Sequence, residues 1–341
     1  MATLAVLACG WAPVVVAAEP IRGVAATVGG LRAFVLASSP DSFADLQAHA
    51  GSIGVAYPTY FECSGEGSQV LGQDDPRLSE WIAAHGAALM PRYTCQEGLQ
   101  VHRLLFDRSL RPHLLRQLVA IVQQHPLYSG LSLDLENDGA EDRALLTSFV
   151  AELAARLHAL GRRLSVVVDG VTHEDARLST AFYDERALGT LADEVFVMAW
   201  GVHWEGSAPG PIAPLGWVRQ VARFVASLPH ARRYVLGVPM YGLDWRVASP
   251  GPGGVRALGR AVAAQYAGVA ALLARIGVHP HRDRRSGEMT VAYRRGGVLH
   301  RVWYLDARAI VARLRAGLNT GLHVGVWRLG SEDQALWSEL P

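Results

Sequence analysis

Eight short apolar runs, separated by longer amphipathic stretches, set the tightest limit on what this chain can fold into. They cover residues 32–37, 53–57, 88–93, 130–136, 164–169, 195–200, 234–241 and 323–329. Between them, residues 42–49, 77–85, 110–124, 140–160, 214–227 and 307–318 carry apolar side chains at helical spacing. Helix-start signals stand where they are needed, in Ser39-Pro40-Asp41 and at Asp306, and Gly161 and Gly317 fall where helices would stop. Strand and helix alternating through a whole chain imply a parallel sheet covered by helices. Eight repeats predict a closed (β/α)8 TIM barrel. A doubly wound open sheet is the alternative, but no glycine-rich turn follows the first run.

One region breaks the rhythm, and the barrel assigned to 31–341 therefore carries a small α+β insertion between strands seven and eight, at about 246–302. A Pro/Gly loop at 249–254 opens it, without the lysine of a phosphate cradle. A helix over 261–276 follows, then a hairpin of 290–293 and 298–301 turning at Arg295-Gly296-Gly297.

The net charge of +1 excludes the basic surface of a nucleic-acid binder or a polybasic membrane-surface protein. All 32 Lys and Arg positions are Arg. Residues 4–18 are small and apolar and end in Val16-Ala17-Ala18, the pattern of an export leader, although no basic residue precedes Arg22. We assign residues 1–30 to leader and linker and expect a secreted or cell-envelope protein. The apolar stretch before Cys9 is too short for a lipid-anchor signal, and no later run is long enough to span a bilayer. We expect a monomer without metal or cofactor, since none of the three cysteines has metal-ligand spacing. Cys63 and Cys95 each follow an apolar run. If those runs are neighbouring parallel strands, the two thiols could form a disulfide, in keeping with export; otherwise they are two unrelated half-buried thiols.

In Leu131-Ser132-Leu133-Asp134-Leu135-Glu136, apolar and polar residues alternate, so Ser132, Asp134 and Glu136 share one face of a strand. Two carboxylates side by side raise each other's pKa, which suits a general acid beside an ionised partner. The plainer alternative is a strand end whose acids cap the next helix, a task Asn137 and Asp138 could perform without Glu136. Other strand ends offer Tyr57, Tyr60, Tyr93, Asp169, Trp200, Trp204, Tyr241, Trp245 and Trp327, an aromatic rim suited to sugar rings. His173-Glu174-Asp175 reads as a solvated loop, and Glu332 and Asp333 as caps of the final helix.

The segment 130–136 resembles the fourth-strand motif DGxDxDxE of glycoside hydrolase family 18, the chitinase-like group. Further matches follow in order: Val197-Met198-Ala199-Trp200, the Pro/Gly segment 209–215, 236–245, 302–308 and 325–333. Together they span roughly 31–337 and are most similar to the spore-cortex and peptidoglycan N-acetylglucosaminidase branch. The resemblance implies a retaining glycosidase acting on polysaccharides that contain N-acetylglucosamine. Glu136 would be the general acid, and the substrate's own 2-acetamido group would be the nucleophile, oriented by Asp134. Ser132, Met198, Trp200, Tyr241 and Trp327 would bind substrate.

Three positions depart from that pattern, the first being Ser129, where the motif begins with Asp. Ser132 stands where the family carries Asp or Asn, and Trp200 where it carries Tyr. They leave a second reading, a carbohydrate-binding barrel with little or no turnover. A third is a glycosidase for another 2-acetamido glycan.

Overall fold

The computed structural model describes residues 30–65, 69–137, 139–173, 179–248 and 255–340. The expected leader, Asp138, Glu174, Asp175 and the 249–254 loop lie outside them. The described residues form sixteen strands in two sheets. Eleven build the barrel: β1 (Leu31–Val35), β2 (Ile53–Pro58), β3 (Phe61–Cys63), β4 (Val70–Gly72), β5 (Ala88–Leu89), β6 (Arg92–Cys95), β7 (Gly130–Leu135), β8 (Arg163–Asp169), β9 (Glu194–Met198), β10 (Tyr234–Pro239) and β16 (His323–Trp327). Five form an antiparallel sheet between β10 and β16: β11 (Gly242–Val247), β12 (Val262–Ala264), β13 (His281–Arg282), β14 (Met289–Arg295) and β15 (Val298–Tyr304).

β4 pairs antiparallel along β3, outside the ring, and the other ten make eight parallel staves, because two runs are each broken into two strands. β2 and β3 form the second stave, and β5 and β6 the third. The breaks sit at Pro58 and Pro91, which have no N–H to give to a ladder. The ring closes through these pieces. β2 pairs with β5 at Val55↔Ala88, Met90 N–H donates to Ala56 (3.0 Å), and β3 pairs with β6 at Phe61↔Tyr93. At the other seam β1 pairs with β16.

The lumen is filled by side chains. Phe34, Val55, Tyr57, Met90, Val167, Phe196 and Val235 pack there, beneath Met198, Trp200 and Trp327. Gly237 and Gly325 make room for the Phe196 ring, which a Cβ would meet at 2.3 and 2.4 Å. Below, Arg32 donates to Glu194 (2.9 Å), and the Tyr57 hydroxyl donates to the same carboxylate (2.7 Å).

A buried joint ties the insertion to the barrel. Glu288 accepts the N–H groups of Ile212 (2.9 Å) and Ala213 (2.7 Å). Arg313, on helix Ala307–Leu318, donates to the carbonyls of Ala213 and Ser286 and pairs with Glu288. Burial pushes the Glu288 carboxyl up, although Arg313 pulls against it.

Several expectations change. The start of the predicted 261–276 helix is instead β12, paired along β11, and the helix runs from Tyr266 to Ile276. Gly317 is not a helix stop. It lies inside Ala307–Leu318, where a Cβ would press on Val324 and Leu236, and the turn's left-handed residue is Gly321. Helices Gly98–Phe106 and Glu185–Leu191 were not anticipated. Glu332 does not cap the final helix. It is buried, accepts from the side-chain N–H groups of Gln334 and Trp337, and is lifted to about 8 by burial and by the neighbouring Asp45. Asp333 accepts N–H groups from Ala307 and Ala335.

Candidate active site

The alternation read in 130–136 places Ser132 and Asp134 inside the barrel, both buried, with Glu136 at the lip where β7 ends. The backbone holds Glu136 firmly. Its N–H donates to the Cys95 carbonyl (2.9 Å), and the Tyr183 hydroxyl donates to the Leu135 carbonyl (3.0 Å). Asn137 caps no helix. Its side chain accepts from the Gly139 N–H and donates to Asp142, which also binds His102.

The Glu136 carboxyl is pushed up to about 7. Burial is the main cause, followed by the negative charge of Asp134. A 2.6 Å hydrogen bond from Gln96 pulls the other way, Asp169 adds to the rise, and Arg92 opposes it. The group can therefore hold a proton near neutrality and give it up, as a general acid must.

Asp134 is held differently. Arg92 Nε donates to Asp134 Oδ2 at 2.6 Å, and Arg92 Nη2 pairs with the same oxygen. Thr94 Oγ1 lies 3.5 Å from it. The other oxygen, Oδ1, is buried without a protein partner, as is Ser132 Oγ.

Of the aromatic rim, Trp327, Trp200 and Tyr241 gather at this mouth, and Met198 packs with the two tryptophans over the lumen. Trp327 meets Phe34 edge-on (5.0 Å) and lies under the Arg92 guanidinium (5.0 Å). Trp200 packs against Phe196 and, with Tyr241, against Ile212, Leu243 and Trp245. Burial and the charges of Glu205, Glu288 and Glu136 raise the Tyr241 hydroxyl. The other expected rim residues do not join them. Tyr57 is deep in the lumen, and Tyr60 and Tyr93 face the helix layer, one strand step out of phase with the lumen. Trp245 is fully buried against the insertion, with its indole N–H on the Ser207 carbonyl. Trp204 is half exposed on the loop after β9.

Cys63 and Cys95 end neighbouring parallel strands, and their sulfurs are bonded at 2.19 Å, closing a 32-residue separation beside the backbone anchor of Glu136. Arg92, Gln96 and Tyr183 were missed in the sequence. Only Arg92 carried a signal, as a basic residue in phase with Thr94 on the lumen side of a strand.

Comparison with known proteins adds four findings. The family model described as glycosyl hydrolases family 18 matches residues 102–324. A Bacillus subtilis protein bearing the name of a sporulation-specific glycosylase, YdhD, is 29% identical over 67% of this chain and 53% of its own length. The cortical fragment-lytic enzyme of Bacillus subtilis is 27% identical over 69% of this chain and 54% of its own, so the chain spans about half the length of these relatives. A chitinase from Chromobacterium violaceum shares the fold, with a TM-score of 0.78 at 24% identity over 91% of this chain and 97% of its own.

Proposed function

Because the chain belongs to family 18 of the glycosyl hydrolases, we propose that it is a retaining β-N-acetylglucosaminidase that cuts N-acetylglucosamine polymers with help from the substrate. The observation that carries this reading is the pairing at the end of β7. One carboxyl is raised to about 7, and a second is ion-paired and fixed two residues before it.

Glu136 protonates the glycosidic oxygen as that bond breaks. The carbonyl oxygen of the substrate's 2-acetamido group attacks the anomeric carbon from the opposite face, giving a cyclic oxazolinium ion. Asp134 Oδ1, the oxygen without a protein partner, accepts the acetamide N–H and sets the carbonyl in line. Water activated by Glu136 then opens the ring and restores the configuration. Trp327 floors the sugar, with Trp200, Tyr241, Met198 and Ser132 around it.

Peptidoglycan is the preferred polymer, on the strength of the relatives named for spore glycosylase and cortical-fragment lysis. A disulfide suits action outside the cytoplasm. No helix among the described residues is long and apolar enough to cross a membrane.

The test is digestion of defined muropeptides and chitin oligomers, with mass analysis of the products and NMR of the first anomer released. Glu136→Gln serves as the control. New N-acetylglucosamine reducing ends of β configuration are expected. Binding without cleavage by the unaltered protein, or release of the α anomer first, overturns the reading.

A further inference from the structure

Arg92 touches two of the residues expected to meet substrate, and the sequence pointed to neither contact. It lies on β6 in register with Ser132 of β7, while Thr94 is in register with Asp134. Registered neighbours on parallel strands share a face, so the Arg92 side chain rises along the lumen towards Asp134. Ser132, in register with Arg92, is buried and its hydroxyl has no protein partner. Both of its contacts with Asp134 go to Oδ2, Nη2 also donates to Thr94 Oγ1 (2.9 Å), and the planar group lies over the Trp327 ring. The result is one-sided. Oδ2 is occupied, whereas Oδ1 is buried and unmatched. A buried acceptor with no donor is costly unless a ligand supplies one.

We propose that Arg92 is the positioning residue of this site, holding Asp134 in one orientation with Oδ1 presented to the substrate N–H and steadying the Trp327 platform. The proposal rests on the reading of the function given above. It assigns to a cation on β6 the support that a carboxylate at position 132 would otherwise give along β7. Ser132 and Arg92 are then one device, since an acid at 132 would compete for the guanidinium. Asp134 becomes a fixed acceptor that does not swing towards Glu136 between steps. Its charge is partly offset, so orientation is its main contribution.

The experiment compares wild type with Arg92→Met, Arg92→Lys and Ser132→Asp on a soluble N-acetylglucosamine oligomer across pH. Arg92→Met should lower kcat by roughly 100-fold with little change in KM, the size of loss expected when a reacting group is misplaced by about 1 Å. The basic limb of its pH–rate profile, which reports Glu136, should move up, because the Arg92 charge opposes the rise at Glu136. Arg92→Lys keeps the charge without the planar fork, so its limb should stay in place while kcat recovers only in part. Ser132→Asp leaves Arg92 present but offers it a second carboxylate, and should lower kcat and raise the limb.

A folded Arg92→Met protein with unchanged kcat and limb overturns the proposal, as does one that changes KM alone. If Arg92→Met does not fold, Ser132→Asp and Arg92→Lys decide, and wild-type profiles in both overturn it. If wild type itself does not turn over, the functional reading fails separately. The titration of Glu136, followed by carboxyl-carbon NMR with and without the Arg92 charge, then decides, and identical curves refute the role.

Discussion

Glu136→Gln should make the protein more stable above neutral pH while removing its activity. The folded protein keeps the Glu136 proton up to about 7, whereas an unfolded glutamate releases it near 4.5. Between those values the folded state binds more protons than the unfolded chain, so this group's contribution to stability falls as pH rises, and the cost is complete above about 7. At about 1.4 kcal/mol per pH unit, the gap amounts to at most about 3 kcal/mol, reduced by the solvent that reaches this partly exposed carboxyl. Glutamine has nearly the same shape, can still accept the Gln96 bond, and does not ionise. Urea unfolding of both proteins from pH 4 to pH 8.5 should therefore show curves that meet near pH 4 and separate by about 2–3 kcal/mol at pH 8. A difference independent of pH would mean that the substitution acts through packing. A less stable glutamine variant at pH 8 would refute the strained-acid argument outright, and with it the claim that burial beside Asp134 readies Glu136 for proton transfer.

Three further outcomes follow from the same geometry. Gln96→Leu removes the donor that pulls Glu136 down, so the basic limb of the pH–rate profile should rise by roughly half to one pH unit, given about 1 kcal/mol for a hydrogen bond to a charged group that is partly solvated. Arg313→Met leaves Glu288 buried without its cation and should cost about 3–5 kcal/mol in urea unfolding. Arg313→Met combined with Glu288→Gln should cost less, and equal losses would show that the cation holds the insertion mainly by its own bonds to carbonyls. Cys63→Ser with Cys95→Ser should lower stability by about 3–4 kcal/mol, the loop-closure figure for a 32-residue separation, and thiol counting under denaturant should find neither sulfur free in the native protein.

What could be read from the sequence was what a single strand or helix reveals by itself. The period of two in 130–136 placed Asp134 and Glu136 on the lumen side, because alternation needs no knowledge of neighbours. The same rule, carried across to 92–95, sends Arg92 and Thr94 into the lumen and Tyr93 out to the helices. The aromatic rim was overdrawn because Tyr60, Tyr93 and Trp245 were judged by their nearness to strand ends and not by phase. β12 was taken for helix because Val262-Ala263-Ala264 is apolar enough for either form, and only its pairing with β11 decides.

The site's least legible part was the link between two residues 40 positions apart. A serine where the family carries Asp or Asn left open a barrel with little turnover, and the arginine at position 92 went unremarked in a chain whose basic residues are all Arg. Neither oddity explains itself. Register between β6 and β7 joins them, by setting Arg92 beside Ser132 and Thr94 beside Asp134. Parallel strands joined by a long crossover carry no local record of register, since loop and helix lengths absorb any offset. Ser132 and Arg92 are therefore better tested together than apart. If Arg92 and Ser132 form one device, introducing Ser132→Asp and Arg92→Met at once should restore part of the kcat that each loses alone, because a carboxylate on β7 could again support Asp134. A double variant whose losses simply add, within the few tenths of a kcal/mol expected of independent sites, would show that register has brought together two residues that do not cooperate.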